Sequence, residues 1–270
     1  MKVAAVLSLV FLSSTVVAFA FEAGAESDSA PSGEPIPCSG AAVQSPINVT
    51  RGSIGSLIAP FSPALRIYDM VHVNTHFHRG AEHVSAGEYD VPFPPPAHGY
   101  ACAFLPPVSL LRPYNFEHCE GTRGRRVVGG TYEFHWVSST GGIELGGGLG
   151  GAFASSPQPE IVVRAQVVII VNDADGAPEY DRDMLNGSDF DATAVDLAKY
   201  VGSTTGAEYD GDNCSPFTIT WHVDRKCSLV SARSVDAMCK GMAAVGALGD
   251  TKPHASRELV GEALTSTIVL

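Results

Sequence analysis

The sequence has no Cys-x-x-Cys pair, no His-Glu-x-x-His motif and no Gly-x-Ser-x-Gly elbow. These absences argue against a thiolate zinc site, a zincin-type peptidase and an α/β-hydrolase nucleophile. Basic residues are scarce: 17 Lys and Arg stand against 29 Asp and Glu, a formal net charge of −12. A chain this acidic lacks the basic face that nucleic acid or an anionic lipid surface requires, so neither is expected as a partner. The Gly-rich stretch 141–151 has no Lys-Ser/Thr ending, which removes a phosphate loop. Past the N-terminus no run reaches the ~18 apolar residues of a membrane span. The nearest, Ile161 to Val171, is interrupted by Arg164 and Gln166, so the mature chain is expected to have no transmembrane segment.

What is present points to a secreted, strand-rich domain. Of 270 residues, 45% are hydrophobic, enough to build a core. Gly and Pro together make about 17% of the chain against a usual ~12%, which favours strands and loops over a helical bundle. Met1-Lys2, an apolar run to Phe21 and the small-x-small pattern Ala18-Phe19-Ala20 read as a cleaved signal peptide over residues 1–20. A flexible acidic leader (21–37), one domain (38–250) and a C-terminal tail (251–270) follow. Six cysteines behind a signal read as disulfides. Sequence proximity favours Cys102–Cys119 and Cys227–Cys239, which leaves Cys38–Cys214. Asn48 and Asn186 head glycosylation sequons.

Strand patterns come in pieces: Val71 to His78, Thr131 to Val137, Ile161 to Val171 and Phe217 to Val223. A helix is expected after Ser231, which can cap it, with Val235, Met238 and Met242 at helical spacing. In the first strand His76 and His78 are two apart, so both imidazoles share a face and can converge on one ion. The same parity puts His72 on that face, as a solvated rim residue, with a fourth ligand or a proton shuttle as alternatives. A third imidazole, His135, lies in a second strand. Glu133 is two residues before it and can hold its other ring nitrogen; Asn74 bears the same relation to His76. Three neutral histidines with an open fourth position form the pattern of a catalytic zinc site.

Several ordered motifs then resemble a known family. Gln44-Ser45-Pro46-Ile47-Asn48, the His-x-His strand, Ala81-Glu82-His83 and Glu133-Phe134-His135 follow the order found in α-type carbonic anhydrases. Tyr200-Val201-Gly202-Ser203-Thr204-Thr205 and Ile219-Thr220-Trp221 look like that family's active-site loop and Trp strand. His76 to His83, Cys119-Glu120-Gly121-Thr122, and Cys214-Ser215-Pro216 leading into Trp221 to Arg225 look more like the δ-class carbonic anhydrases of marine algae. The resemblance spans roughly residues 38 to 240. It implies a mainly β fold, a central twisted and mostly antiparallel sheet with short peripheral helices. It also implies reversible hydration of CO2 to bicarbonate by a zinc-bound hydroxide, with Zn2+ on His76, His78 and His135.

In that reading Glu82 accepts a hydrogen bond from a loop hydroxyl that orients the reacting oxygen, and need not touch a metal ligand. The tight turn from His78 to Glu82 and the missing Pro-Pro after Thr205 leave that hydroxyl open among Thr204, Thr205 and Ser215. Val137 and Ile219 would line an apolar substrate pocket. Two rival functions share these residues: a catalytically silent secreted binding protein and a zinc hydrolase acting on esters. The expected destination is extracellular or the cell surface. Phe21 after the cleavage site keeps a plastid of an alga, reached by the secretory route, as the alternative. Oligomeric state is not legible from the sequence.

Overall fold

The computed structural model describes residues 44–53, 70–94, 98–119, 127–143, 151–172, 196–203, 215–244, 246 and 251–255. The segments expected as signal peptide and acidic leader, Cys38, Asn186, Thr204, Thr205 and Cys214 lie outside the described residues, as do residues 256–270.

The Val/Ile-rich stretch expected as a buried strand is the middle of the fold. Strand β5 (Ile161–Val171) is buried along its whole length. Against one edge it pairs antiparallel with β4 (Thr131–Ser139), which pairs antiparallel with β1 (Val71–Arg79). Against its other edge run β7 (Ile219–Asp224) and β8 (Ser228–Ser231), both parallel to it. β6 (Leu197–Gly202) pairs antiparallel with β7, and β9 (His254–Ala255) adds to β1 in parallel. The sheet runs β6-β7-β5-β4-β1-β9, with β8 beside β5. β2 (Tyr89–Pro92) and β3 (Tyr100–Cys102) form a separate hairpin. The domain is therefore mainly β, and the described strands leave the sheet open. Its long ladders are antiparallel, and the parallel pairs join strands that are distant in sequence. Helix α1 (Ala232–Ala244) follows β8. It begins just after Ser231, whose hydroxyl accepts the Arg233 N–H at 3.3 Å. The segment expected as a tail contributes β9 to the sheet.

The sheet has two differently used faces. One carries Val137, Val163, Ala165, Val167, Tyr200, Ile219, Trp221 and Val223, packed under Ile47, Val49 and Tyr89. The other carries Phe77, Tyr132, Phe134, Trp136, Val168 and Ile170, covered by Val235, Met238 and Met242 of α1. Strand alternation assigns each side chain to one face.

A β-bulge at Val73 changes that assignment within β1. His72 pairs with Ser138 but Asn74 pairs with Val137, so one extra residue is inserted between them. Asn74, His76 and His78 thereby line up beside Val137, His135 and Glu133. His72 is shifted to the opposite face, away from His76, which corrects the parity expectation. There its Nε2 lies 3.1 Å from the Asn74 carbonyl and 2.8 Å from Thr75 Oγ1. Burial pulls its pKa down to about 4, against the hydrogen bond to Asn74. A ring kept neutral on the far face is neither a ligand nor a rim proton shuttle.

The disulfides also differ from the expectation by proximity. The bonds are Cys102–Cys227 and Cys119–Cys239, not Cys102–Cys119 and Cys227–Cys239. The two faces supply the reason. Cys102 and Cys227 belong to the core on one side of the sheet, Cys119 and Cys239 to the core under α1.

Candidate metal centre

Adjacent strands bring three imidazoles together. The β1–β4 register sets His76 directly opposite His135 and His78 opposite Glu133. The ring centroids of His76, His78 and His135 stand 5.1, 5.0 and 4.8 Å apart. One nitrogen from each lies within 4.8 Å of the others. His78 and His135 are buried and His76 is half-buried.

Each ring's outer nitrogen is committed to an oxygen acceptor. His76 Nδ1–H donates to Asn74 Oδ1 at 2.5 Å. His135 Nε2–H donates to Glu133 Oε1 at 2.8 Å. His78 Nδ1 lies 3.2 Å from Glu82 Oε1, four residues on. In the neutral tautomers this leaves a lone pair on the inner nitrogen of each ring. Two of them, His76 Nε2 and His135 Nδ1, face each other at 3.2 Å. Two lone pairs at that distance repel unless a proton or a metal ion stands between them. Two nitrogens bound to one tetrahedral zinc are about 3.3 Å apart, so the donor set fits that ion.

Glu133 is the hub behind these ligands. It is fully buried, and its Oε1 also accepts from His83 Nδ1 at 2.7 Å. Its Oε2 accepts the backbone N–H of Glu82 at 2.6 Å and of His83 at 3.1 Å. Burial opposes its charge, but the His83 ring and the hydrogen bonds from His135 and His83 outweigh it, holding the carboxyl well below its usual range. His83 Nε2 and the Tyr200 hydroxyl are hydrogen-bonded at 2.8 Å, and Tyr200 is 2.8 Å from Ser45 Oγ. Burial pushes the Tyr200 hydroxyl well above its usual range, so it stays protonated; the Ser45 hydrogen bond opposes that rise. The result is a buried chain from Ser45 through Tyr200, His83 and Glu133 to His135. His83, Glu133 and His135 also bring ligand atoms within 4.8 Å. Their separations of 2.7 and 2.8 Å are those of hydrogen bonds to one shared carboxylate oxygen, which assigns that group to support.

The remaining candidates are distributed around this centre. Val137 and Ile219 are buried in the core on the same side of the sheet, and the Trp221 ring is 5.3 Å from His135. The Trp221 indole N–H donates to the Ser203 carbonyl at 3.0 Å. Ser215 is buried and clamped by Gln44, whose Oε1 accepts its N–H at 2.7 Å and whose Nε2 donates to its carbonyl at 3.2 Å. Its Oγ accepts the Phe217 N–H at 3.3 Å. Glu82, which in the sequence reading need not touch a ligand, lies against His78. Sequence reasoning gave no position for His83 and passed over His254. The signal for His83 was its place beside Glu82; for His254 there was none, because only the β9–β1 pairing brings it here.

The family model described as Delta carbonic anhydrase matches residues 67–234, and no curated protein matches the chain.

Proposed function

The chain belongs to the delta carbonic anhydrase family and is a carbonic anhydrase, and we propose that His76, His78 and His135 hold one catalytic zinc ion in it. The family implies CO2 and bicarbonate as the substrate pair. The observation that carries the metal reading is the facing pair of inner nitrogens, His76 Nε2 and His135 Nδ1, at 3.2 Å. Bound there, zinc supplies a Lewis acid that lowers the pKa of water to about 7.

The protein's own groups do the rest of the work. Asn74, Glu82 and Glu133 each hold one imidazole in a fixed tautomer and aim its inner nitrogen. A carboxylate has acceptor capacity for two partners, so Glu82 can hold His78 and also take a hydrogen bond from Thr204, Thr205 or Ser215. That hydroxyl is the group we assign to orienting the reacting oxygen. Val137 and Ile219 supply an apolar wall suited to a small neutral substrate. Cys102–Cys227 and Cys119–Cys239 fit an oxidising compartment, which supports secretion, with Asn48, which is exposed, and the sequon residue Asn186 as the glycan acceptors we propose.

Metal content and CO2 hydration measured on the same purified chain test the reading. One zinc per chain with hydration activity is expected, and His135→Ala should lose both. A His135→Ala chain that keeps its zinc and its rate overturns the ligand assignment. Metal without hydration would instead favour the silent binding protein.

A further inference from the structure

We infer that His254 is an outer, exchangeable ligand through which the metal ion enters and leaves the His76–His78–His135 site. The inference rests on the metal-binding reading above. β9 pairs in parallel with β1 so that His254 stands directly beside His78. Its ring centroid is 5.4 Å from that of His76 and 5.6 Å from that of His78. Those spacings approach the 4.8 to 5.1 Å found within the triad itself. The His254 ring lies stacked on His76 at 22°, whereas the triad rings cross at 55° to 88°, so one ion is shared between His254 and the first two ligands once the exposed outer ring turns its edge towards them.

Exposure runs in one direction across the four rings. His254 is exposed and His76 half-buried, while His78 and His135 are only 4% and 3% exposed. A hydrated ion arriving from solvent meets His254 and His76 first. Shedding waters one at a time, each replaced by an imidazole, avoids a partly stripped ion with empty positions. His254 is not a resident fourth ligand, because the ligand atoms that converge within 4.8 Å come from His76, His78 and His135. Residue 254 also lies beyond the family match at 67–234, so nothing in that match assigns it a role.

A ligand engaged only in transit lowers the barrier equally in both directions. Removing it slows uptake and release by the same factor and leaves the affinity unchanged. The test uses cobalt(II) added to metal-free full chain, with uptake followed by visible absorbance and release followed with a chelating scavenger. For His254→Ala, both rates should fall about tenfold with one ion still bound per chain. His254→Cys, which restores a ligand of different chemistry, should recover most of the rate. His254→Phe, which keeps a ring against His76 without a donor nitrogen, should stay slow. Unchanged rates in His254→Ala, or wild-type rates in His254→Phe, overturn the inference. So does an affinity loss carried wholly by faster release, which would make His254 a permanent ligand. A wild-type chain that takes up no cobalt or zinc instead overturns the metal-binding reading, and this inference falls with it.

Discussion

Glu82 Oε1 lies 3.2 Å from His78 Nδ1, so the carboxylate beyond the turn that ends β1 holds that strand's last imidazole. Both side chains are buried, which keeps water from replacing either partner. This contact changes what Glu82 substitutions should do.

Glu82→Ala is expected to weaken zinc by roughly 10–100-fold, because His78 loses the acceptor that fixes its tautomer. Glu82→Gln, which keeps one acceptor oxygen, should fall between it and the wild type. Competition against a chelator of known affinity reads both. Wild-type affinity in Glu82→Ala would return Glu82 to a role confined to the loop hydroxyl.

Glu133→Gln should cost both metal and stability. Each carboxylate oxygen accepts two N–H groups, so an amide NH2 at either position faces donors. A loss of about 1–3 kcal/mol is expected for the mispaired buried groups, read by urea denaturation of metal-free chain. Zinc affinity should drop roughly 10–100-fold as His135 loses its acceptor. An unchanged urea midpoint would mean that the network relaxes around the amide.

His72 predicts an acid-sensitive stability. Its folded pKa is pulled to about 4 from an ordinary 6.5, so the unfolded chain takes up the proton first. The stabilisation is complete above 6.5 and is lost as pH falls from there towards 4, by at most about 3 kcal/mol. His72→Gln should flatten the stability profile across that window. A profile as steep as the wild type's assigns the acid sensitivity to other groups.

Non-reducing peptide mapping should recover Cys102 linked to Cys227 and Cys119 linked to Cys239. The remaining pair proposed is Cys38–Cys214. The two bonds close separations of 125 and 120 residues, each worth about 5 kcal/mol in the chain-entropy model. Replacing Cys119 and Cys239 by Ala should therefore lower the urea midpoint sharply. Recovery of a Cys102–Cys119 peptide would contradict the two-sided core.

The sequence by itself determined the local chemistry of this protein. His76 and His78 at i and i+2, Glu133 and His135 at the same spacing, and the β-branched runs around them were enough for the strands and the candidate ligands. These are short-range properties set by backbone periodicity. They carry over into the sheet, where β4 and β5 appear over 131–139 and 161–171. Periodicity misled only where the backbone broke its own rule, at the Val73 bulge that turned His72 to the other face. The tertiary structure decided everything that depends on which distant segments meet. It paired the cysteines by the side of the sheet they occupy rather than by nearness in the chain. It linked His83 to Tyr200 across 117 residues, and it carried His254 to the edge of β1. Those contacts are selected by burial and strand pairing over the whole chain, and no local pattern encodes the cost of leaving His83 or Glu133 unpaired in the core.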